Sequence, residues 1–129
     1  MVKLTPTVEE IEALRKTIPP GPVVIVNLLK FKPQGGREAY VRYLKEAGRA
    51  SYPRVEIVYA GTAVKDVGGG EDWDYVIIAR YPDFDKFAAA VTAKEYQVDA
   101  DSHRPAALEK TIMMVTQPAS IQDYFKDLA

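Results

Sequence analysis

The sequence predicts an α+β domain in which two strand–helix–strand units form one four-stranded antiparallel sheet, with both helices on one face. Two observations predict it. Segments rich in β-branched and aromatic residues alternate with segments whose apolar residues recur at helical spacing. After one extra N-terminal helix, their order is strand–helix–strand and again strand–helix–strand. A chain of 129 residues without a low-complexity linker has the length of one domain, residues 1–129.

The N-terminal part predicts a short helix followed by a strand. Thr7 is a suitable N-cap, and "PPG" at 19–21 would end the helix, so residues 1–20 form an expected helical extension. The segment "VVIVNLLKF" (23–31) is then an almost continuous apolar run, which is typical of a buried strand.

The middle of the chain predicts a turn, a long helix and a second strand. "KPQGG" (32–36) has the composition of a turn, and "VEIVYAGTAV" (55–64) that of a strand. A helix is expected between them, from Arg37 to about Ser51, because apolar residues recur there at helical spacing. These residues are Tyr40, Val41, Tyr43, Leu44 and Ala47.

The C-terminal half repeats the pattern. "KDVGGGED" (65–72) predicts a hairpin loop before a third strand, "WDYVIIARY" (73–81). A second helix is expected to carry Phe84, Phe87, Ala88 and Val91 on one face. After a polar loop containing "DADSHRP", the strand "EKTIMMVTQ" (109–117) closes the domain, and residues 118–129 form a tail with a short helix. This order corresponds to the ferredoxin-like split βαβ arrangement, βαββαβ.

The first and third predicted strands are apolar on both faces, whereas an antiparallel sheet normally has one wet face. In the first strand Val23, Ile25 and Leu29 share one face with Asn27, and Val24, Val26 and Leu28 share the other. The two helices can cover only one of them. A second copy of the sheet, packed face to face across a two-fold axis, would cover the other, so we expect a homodimer formed through the open sheet face.

Five segments, "PVVIVNLLKF", "REAYVRYLKEAG", "VYAG", "WDYVIIARYPDFDKF" and "EYQ…HRPAALEKTIMM", together resemble the family catalogued as domain of unknown function 1330, in the dimeric α+β barrel superfamily. The resemblance covers roughly residues 20–117. It implies a ferredoxin-like dimeric barrel with a ligand cleft between helices and sheet. Similar proteins include cofactor-independent monooxygenases, lactone isomerases, haem-degrading enzymes and small-molecule-binding dimers. The resemblance implies no catalytic residues.

Composition and charge narrow the function classes. The formal net charge is −1 and the chain contains no cysteine, so we expect neither a nucleic-acid partner nor a thiolate site. The chain carries one histidine and no carboxylates at ligand spacing, so we expect no metal and no cofactor, haem included. Neither a signal peptide nor an apolar run of membrane-spanning length is recognisable, which predicts a cytoplasmic protein without a membrane partner.

Two polar residues are candidates for chemistry. Asn27 interrupts an apolar strand, and a buried amide needs hydrogen-bond partners. It would either orient a ligand in the cleft or bond a neighbouring loop or the second subunit. His103 is the natural general acid or base, with Asp99 and Asp101 near enough in sequence to orient it. Alternatively, it is a solvated loop histidine.

Aromatic and basic residues are candidates for ligand binding. Tyr40, Tyr43, Trp73 and Tyr75 would line an aromatic pocket or, alternatively, pack in the core and the subunit interface. Arg80 and Arg104 would bind a ligand carboxylate or pair with a neighbouring strand or the second subunit, and Lys30 carries the same alternatives.

Three functions follow. The first is a cofactor-independent enzyme, monooxygenase-like or isomerase-like, with His103 as base and Asn27 orienting a substrate carbonyl. The second is a dimer that binds or senses a small metabolite without turnover. The third is a dimer without a ligand.

"GTAVKDVGGG" lacks the spacing of a dinucleotide-binding motif, and the third strand lacks the stacking motif of RNA-recognition domains.

Overall fold

The computed structural model describes residues 6–51, 55–93 and 103–126, with the side chains of residues 46–51 and 124 outside that description. The described elements follow the predicted order. They are α1 (Val8–Arg15), β1 (Val23–Phe31), α2 (Gly36–Ser51), β2 (Glu56–Thr62), β3 (Tyr75–Tyr81), α3 (Phe84–Thr92), β4 (Leu108–Thr116) and α4 (Ile121–Lys126).

One four-stranded antiparallel sheet has the order β2-β3-β1-β4. β1 is therefore a central strand with β3 on one side and β4 on the other. Ile25, for example, lies opposite both Ala79 and Val115. The element order and strand order confirm the prediction of an α+β, ferredoxin-like fold.

The helices pack on one face of the sheet and form two apolar clusters with it. Val23 and Ile25 of β1 belong to a cluster with α1 and α3, and Leu29 belongs to a second cluster with α2. Since these three residues alternate along β1, they mark its helix-facing side. The first cluster contains Ile11, Val23, Ile25, Ala79, Tyr81, Phe84, Phe87, Ala88 and Val91; the second contains Leu29, Ala39, Tyr40, Tyr43, Ala107 and Leu108.

The opposite side of the sheet is also apolar, as predicted. In the regular registers of β1 with β3 and β4, apolar residues of all three strands point to this side. They are partly exposed, and Met114 retains 53% of its exposure. We call this surface the open face; it consists of Val24, Val26, Leu28, Val76, Ile78, Ile112 and Met114.

α1 confirms the predicted N-cap. The Thr7 hydroxyl accepts from the Glu10 N–H at 3.1 Å, while the Glu10 carboxylate accepts from the Thr7 N–H at 3.0 Å. At the other end of α1, Arg15 pairs with Asp85 of α3 and donates to Glu12 at 3.0 Å. This hydrogen bond from Arg15 lowers the pKa of Glu12. Ile11 is buried against α3, so α1 joins the core through a single apolar side chain.

The third strand is shorter than predicted, and the placement of Trp73 was wrong. β3 begins at Tyr75, so the alternation that put Trp73 on the face of Tyr75 does not apply. The Lys110 ammonium lies 5.4 Å from the centre of the Trp73 ring, and Lys110 is on the open side of the sheet. Asp74 also precedes β3, so it does not share a strand face with Arg80.

A close backbone contact fixes the start of α2. The carbonyl oxygen of Ala107 accepts from the Lys32 N–H at 2.9 Å. A Cβ atom on Gly36 would lie 2.6 Å from the same oxygen and 3.2 Å from the backbone of Phe31. Only glycine therefore allows α2 to begin this close to the end of β1 and the start of β4.

We predict that Gly36→Ala destabilises the domain. Alanine in a helix is normally better than glycine by up to about 1 kcal/mol, but here the clash with Ala107 should reverse the sign. We expect the free energy of unfolding to fall by roughly 1–3 kcal/mol, measured by urea denaturation. Gly68→Ala is the control, because the new Cβ would meet only the Asp66 carboxylate at 3.2 Å. A Gly36→Ala protein as stable as wild type would contradict the prediction.

Candidate ligand-binding cleft

An open cleft of about 590 Å³ lies between α2 and the end of the sheet where β1 ends and β3 begins. We call it the cleft. Its apolar wall comprises Phe31, Tyr40, Val41, Leu44 and Tyr75, and its charged lining comprises Lys30, Lys32, Arg37, Asp74 and Glu109. Thr62, Ala63 and Pro33 complete the lining.

Asp74 forms hydrogen bonds that join β1 to the start of β3 beside the cleft. The pairing of β1 with β4 is irregular between Lys30 and Phe31, near the end of β1. The Asp74 carboxylate accepts from the Phe31 N–H at 2.8 Å, and the Asp74 N–H donates to the Leu29 carbonyl at 2.8 Å. One residue thus provides an acceptor for the Phe31 N–H, which lies beyond the last β1–β3 pair, and joins the end of β1 to the start of β3.

Aromatic rings continue from the cleft into the core. The ring centres of Phe31 and Tyr40 are 5.7 Å apart, and Tyr40 stacks on Tyr43 at 5.3 Å. His103 meets Tyr43 edge-on at 6.3 Å, and the Arg104 guanidinium lies 6.0 Å from the centre of the same ring. The structure therefore brings together four of the predicted site residues, Tyr40, Tyr43, His103 and Arg104.

His103 and Arg104 lie in a helical turn (103–107) directly before β4, where the sequence predicted a polar loop. Arg104 is buried, with 3% exposure, and His103 is half-buried. Tyr40 lines the cleft, whereas Tyr43, His103 and Arg104 lie behind it and are not among its described lining residues. Asp99 and Asp101, the predicted orienting carboxylates, lie outside the described residues.

Asn27 lies on the helix-facing side of β1, between Ile25 of the first apolar cluster and Leu29 of the second. Its neighbours across the sheet are Ile77 and Met113. The amide is half-buried and is directed away from the open face. It does not line the cleft, so its role as a ligand-orienting group stays a prediction.

Trp73 and Arg80, two further predicted binding residues, lie on the other side of the sheet. Arg80 is exposed and in register with Val24 and Glu56. Trp73 lines a smaller cavity of about 250 Å³ beneath the loop between β2 and β3, together with Leu28 and Val76 of the open face. Of the four predicted aromatic residues, Tyr40 and Tyr75 line the cleft, Tyr43 supports Tyr40, and Trp73 is separate from them.

Most of the charged residues of the cleft were not predicted from the sequence. Lys32, Arg37, Asp74 and Glu109 are ordinary surface residues by type, and nothing in their spacing connects them. The available signal was local: the turn "KPQGGR" places two cations between an apolar strand and the aromatic face of a helix. Among the described residues, no group of three or more histidine, cysteine or acidic side chains could hold a metal ion.

No protein-family model matches the chain, and no curated protein sequence matches it. Solved structures do match. The RPA0582 protein of Rhodopseudomonas palustris, a protein of unknown function, superposes with a TM-score of 0.80 and 27% identity, over 93% of this chain and 99% of that one. Methylated RPA0582 gives a TM-score of 0.79 and 28% identity, over 93% and 97% of the two chains.

More distant structures share the fold. A DABB family protein from Mesorhizobium loti with a ferredoxin-like fold has a TM-score of 0.61 and 11% identity, over 78% of this chain and 99% of its own. A dimeric protein of unknown function from Bacteroides fragilis, also ferredoxin-like, has a TM-score of 0.51 and 15% identity, over 75% of this chain and 96% of its own. Hydroxynitrile lyase from Passiflora edulis has a TM-score of 0.62 and 15% identity, over 79% of this chain and 97% of its own. These likenesses support the ferredoxin-like fold. Within the described residues, none of the helices is apolar and long enough to span a membrane.

We predict that Asp74→Ala destabilises the domain at the cleft. The half-buried Phe31 N–H would lose its acceptor, which costs about 1–3 kcal/mol of unfolding free energy. Asp74→Asn keeps a side-chain oxygen and should lose clearly less. Asp72→Ala is the matched control, because Asp72 accepts from the Lys30 ammonium through its backbone carbonyl. Urea denaturation of the three variants measures the difference; equal losses for Asp74→Ala and Asp72→Ala would contradict the assigned role.

Proposed function

We propose that this chain is the subunit of a small homodimeric barrel protein that binds a small aromatic or hydrophobic metabolite in the cleft. The observation that carries the proposal is the cleft itself. Its volume of about 590 Å³ lies within the roughly 300–1,000 Å³ of small-molecule sites. Aromatic and aliphatic side chains form one wall and polar groups the rim, as in most such sites.

The apolar wall suits a planar ring. Phe31, Tyr40 and Tyr75 are contributed by three different elements, so a ring between them would contact side chains from more than one direction. The Tyr75 hydroxyl makes no hydrogen bond with the residues that the structure describes, so it can donate to or accept from a bound molecule. Tyr40 is held from behind by its stack on Tyr43, which fixes that wall before a ligand arrives.

The open face supports the homodimer. Seven apolar side chains of β1, β3 and β4 form this surface. Single exposed apolar residues are normal on a protein surface, whereas a contiguous apolar patch of this kind marks an interaction site. The same surface on a second copy would be complementary under a two-fold axis. The ferredoxin-like protein from Bacteroides fragilis, similar to this chain in fold, is dimeric.

Catalysis is the second candidate function. The ring contact between His103 and Tyr43 favours it, because Tyr43 stacks on Tyr40 at the wall of the cleft. In this alternative, His103 acts as a general base and Asn27 orients a substrate carbonyl in a cofactor-independent, monooxygenase-like or isomerase-like reaction. The hydroxynitrile lyase from Passiflora edulis is an enzyme on the same fold. A dimer without a ligand is the remaining alternative.

We predict that the protein is a dimer and that Met114→Glu makes it monomeric. A carboxylate at this position of the open face would have to be buried without a partner between the two sheets. Sedimentation velocity should give twice the chain mass for wild type and the single chain mass for the variant. Leu14→Glu, at an exposed position of α1, is the control and should remain dimeric. A wild-type protein that is monomeric at every accessible concentration would overturn the dimer.

We predict that 2-naphthol, an aromatic ring with one hydroxyl, binds in the cleft and raises the melting temperature. A ligand at 100 times its dissociation constant adds about 2.7 kcal/mol of stability, which a thermal-shift assay detects readily. Tyr75→Phe keeps the ring and removes one hydrogen bond, so the affinity measured by calorimetry should fall about 2- to 10-fold. Tyr59→Phe removes an exposed hydroxyl from β2, outside the cleft, and is the control.

His103→Gln tests in the same assays whether His103 contributes to binding. Under the binding proposal it should leave affinity for 2-naphthol nearly unchanged, because His103 lies behind the wall of the cleft. If no aromatic compound in a broader screen shifts the melting temperature, the binding proposal fails, and the dimer without a ligand becomes the better description.

A further inference from the structure

We propose that the ligand of the cleft carries an anionic group, such as a carboxylate, and that Arg37 and Lys32 bind it at the rim. The inference rests on the proposed function, because it specifies the chemical class of the molecule bound in the same cleft. It follows from the charges that line the cleft, from which of them are already engaged, and from how the backbone holds the remaining ones.

The cleft is locally positive although the whole chain has a formal net charge of −1. Among the lining residues that the structure describes are three cationic side chains, Lys30, Lys32 and Arg37, and two carboxylates, Asp74 and Glu109. An apolar wall beside these groups lowers the local dielectric, so the excess positive charge acts more strongly on a bound molecule than it would in open water.

Two of the five charged groups are already engaged. The Lys30 ammonium donates to the Asp72 carbonyl at 2.8 Å, and the Asp74 carboxylate accepts from the Phe31 N–H at 2.8 Å. Lys32 and Arg37 form no ion pair or hydrogen bond through their side chains with any residue in the ranges 6–51, 55–93 and 103–126. Two cations therefore remain available at the rim, against one carboxylate, Glu109.

One carbonyl group, that of Ala107, contacts the chain at both ends of the turn between the two available cations. The Ala107 oxygen accepts from the Lys32 N–H and leaves only enough space for glycine at position 36, directly before Arg37. The turn that separates the two cations is thus anchored at both ends. An anchored pair loses less conformational entropy on binding an anion than two cations on a free loop.

The arrangement favours a carboxylate joined to an aromatic ring. The Arg37 guanidinium can donate two parallel hydrogen bonds to a carboxylate, and Lys32 adds a point charge beside it. The ring of the same molecule would then extend along Phe31, Tyr40 and Tyr75, which line the same cleft. A neutral amide of equal shape would fill the same space but would lack the charge that the two cations attract.

The experiment compares 1-naphthoate with 1-naphthamide, two molecules of nearly equal shape that differ in charge. Calorimetric titrations would use wild type, Arg37→Gln and Arg42→Gln at low and at physiological salt. Arg42 is the matched control, an exposed arginine on the same helix that does not line the cleft. We expect wild type to bind 1-naphthoate at least 10-fold more tightly than 1-naphthamide, with a preference that weakens as salt is added.

Arg37→Gln should remove most of that preference while leaving the affinity for 1-naphthamide nearly unchanged, and Arg42→Gln should keep the preference. Equal binding of the two compounds by wild type would overturn the anionic ligand and leave the proposed aromatic cleft standing. A preference that Arg42→Gln reduces as much as Arg37→Gln would also overturn it, because the attraction would then be a general surface effect. Binding of neither compound, together with a failed aromatic screen, would overturn both proposals.

Discussion

The structure depends on a single constraint, the apolar character of β1 on both of its faces. β1 is central in the sheet, so its backbone is bonded on both edges and its side chains must pack above and below. On one face Val23, Ile25 and Leu29 bury themselves against the helices and organise two apolar clusters. The other face is equally apolar and partly exposed. A strand of this kind packs against the helices on one face. Its other face is apolar surface in contact with water, and covering that surface is energetically favourable.

The cleft arises where the regularity of β1 ends. The β1–β4 register shifts at Phe31, and Asp74, which directly precedes β3, accepts from the Phe31 N–H. The chain then turns, and Gly36 lets α2 begin against the carbonyl of Ala107. The backbone N–H groups of Phe31 and Lys32, at the end of β1, thus have hydrogen-bond acceptors in Asp74 and Ala107. The side chains around them can therefore line a cavity. Loop and strand-end positions on a rigid scaffold commonly carry binding groups for this reason.

The sequence was sufficient for the architecture because the signals are periodic and local. The almost continuous apolar run in 23–31, the helical stripe after Gly36 and the N-cap at Thr7 each depend on a few neighbouring residues. The third strand was wrongly extended to Trp73 because the strand pattern was continued past the point where Asp74 bonds to β1. Asp74 was not recognised as lining the cleft because its partner, Phe31, is 43 residues away in the sequence. Arg37 was not recognised because part of the cleft lining, including Tyr75 and Glu109, comes from distant segments. An exposed arginine in a helix has the same local pattern whether or not it lines a cavity.

The two sides of the sheet are also optically distinct. The chain has a single tryptophan, Trp73, and it lies with Leu28 and Val76 of the open face rather than with the aromatic wall of the cleft. The indole emission therefore samples the polarity of that side alone. The fluorescent side chains that line the cleft are the tyrosines Tyr40 and Tyr75. A molecule entering the cleft and a surface approaching the open face would therefore leave separate spectral signatures in the unmodified protein.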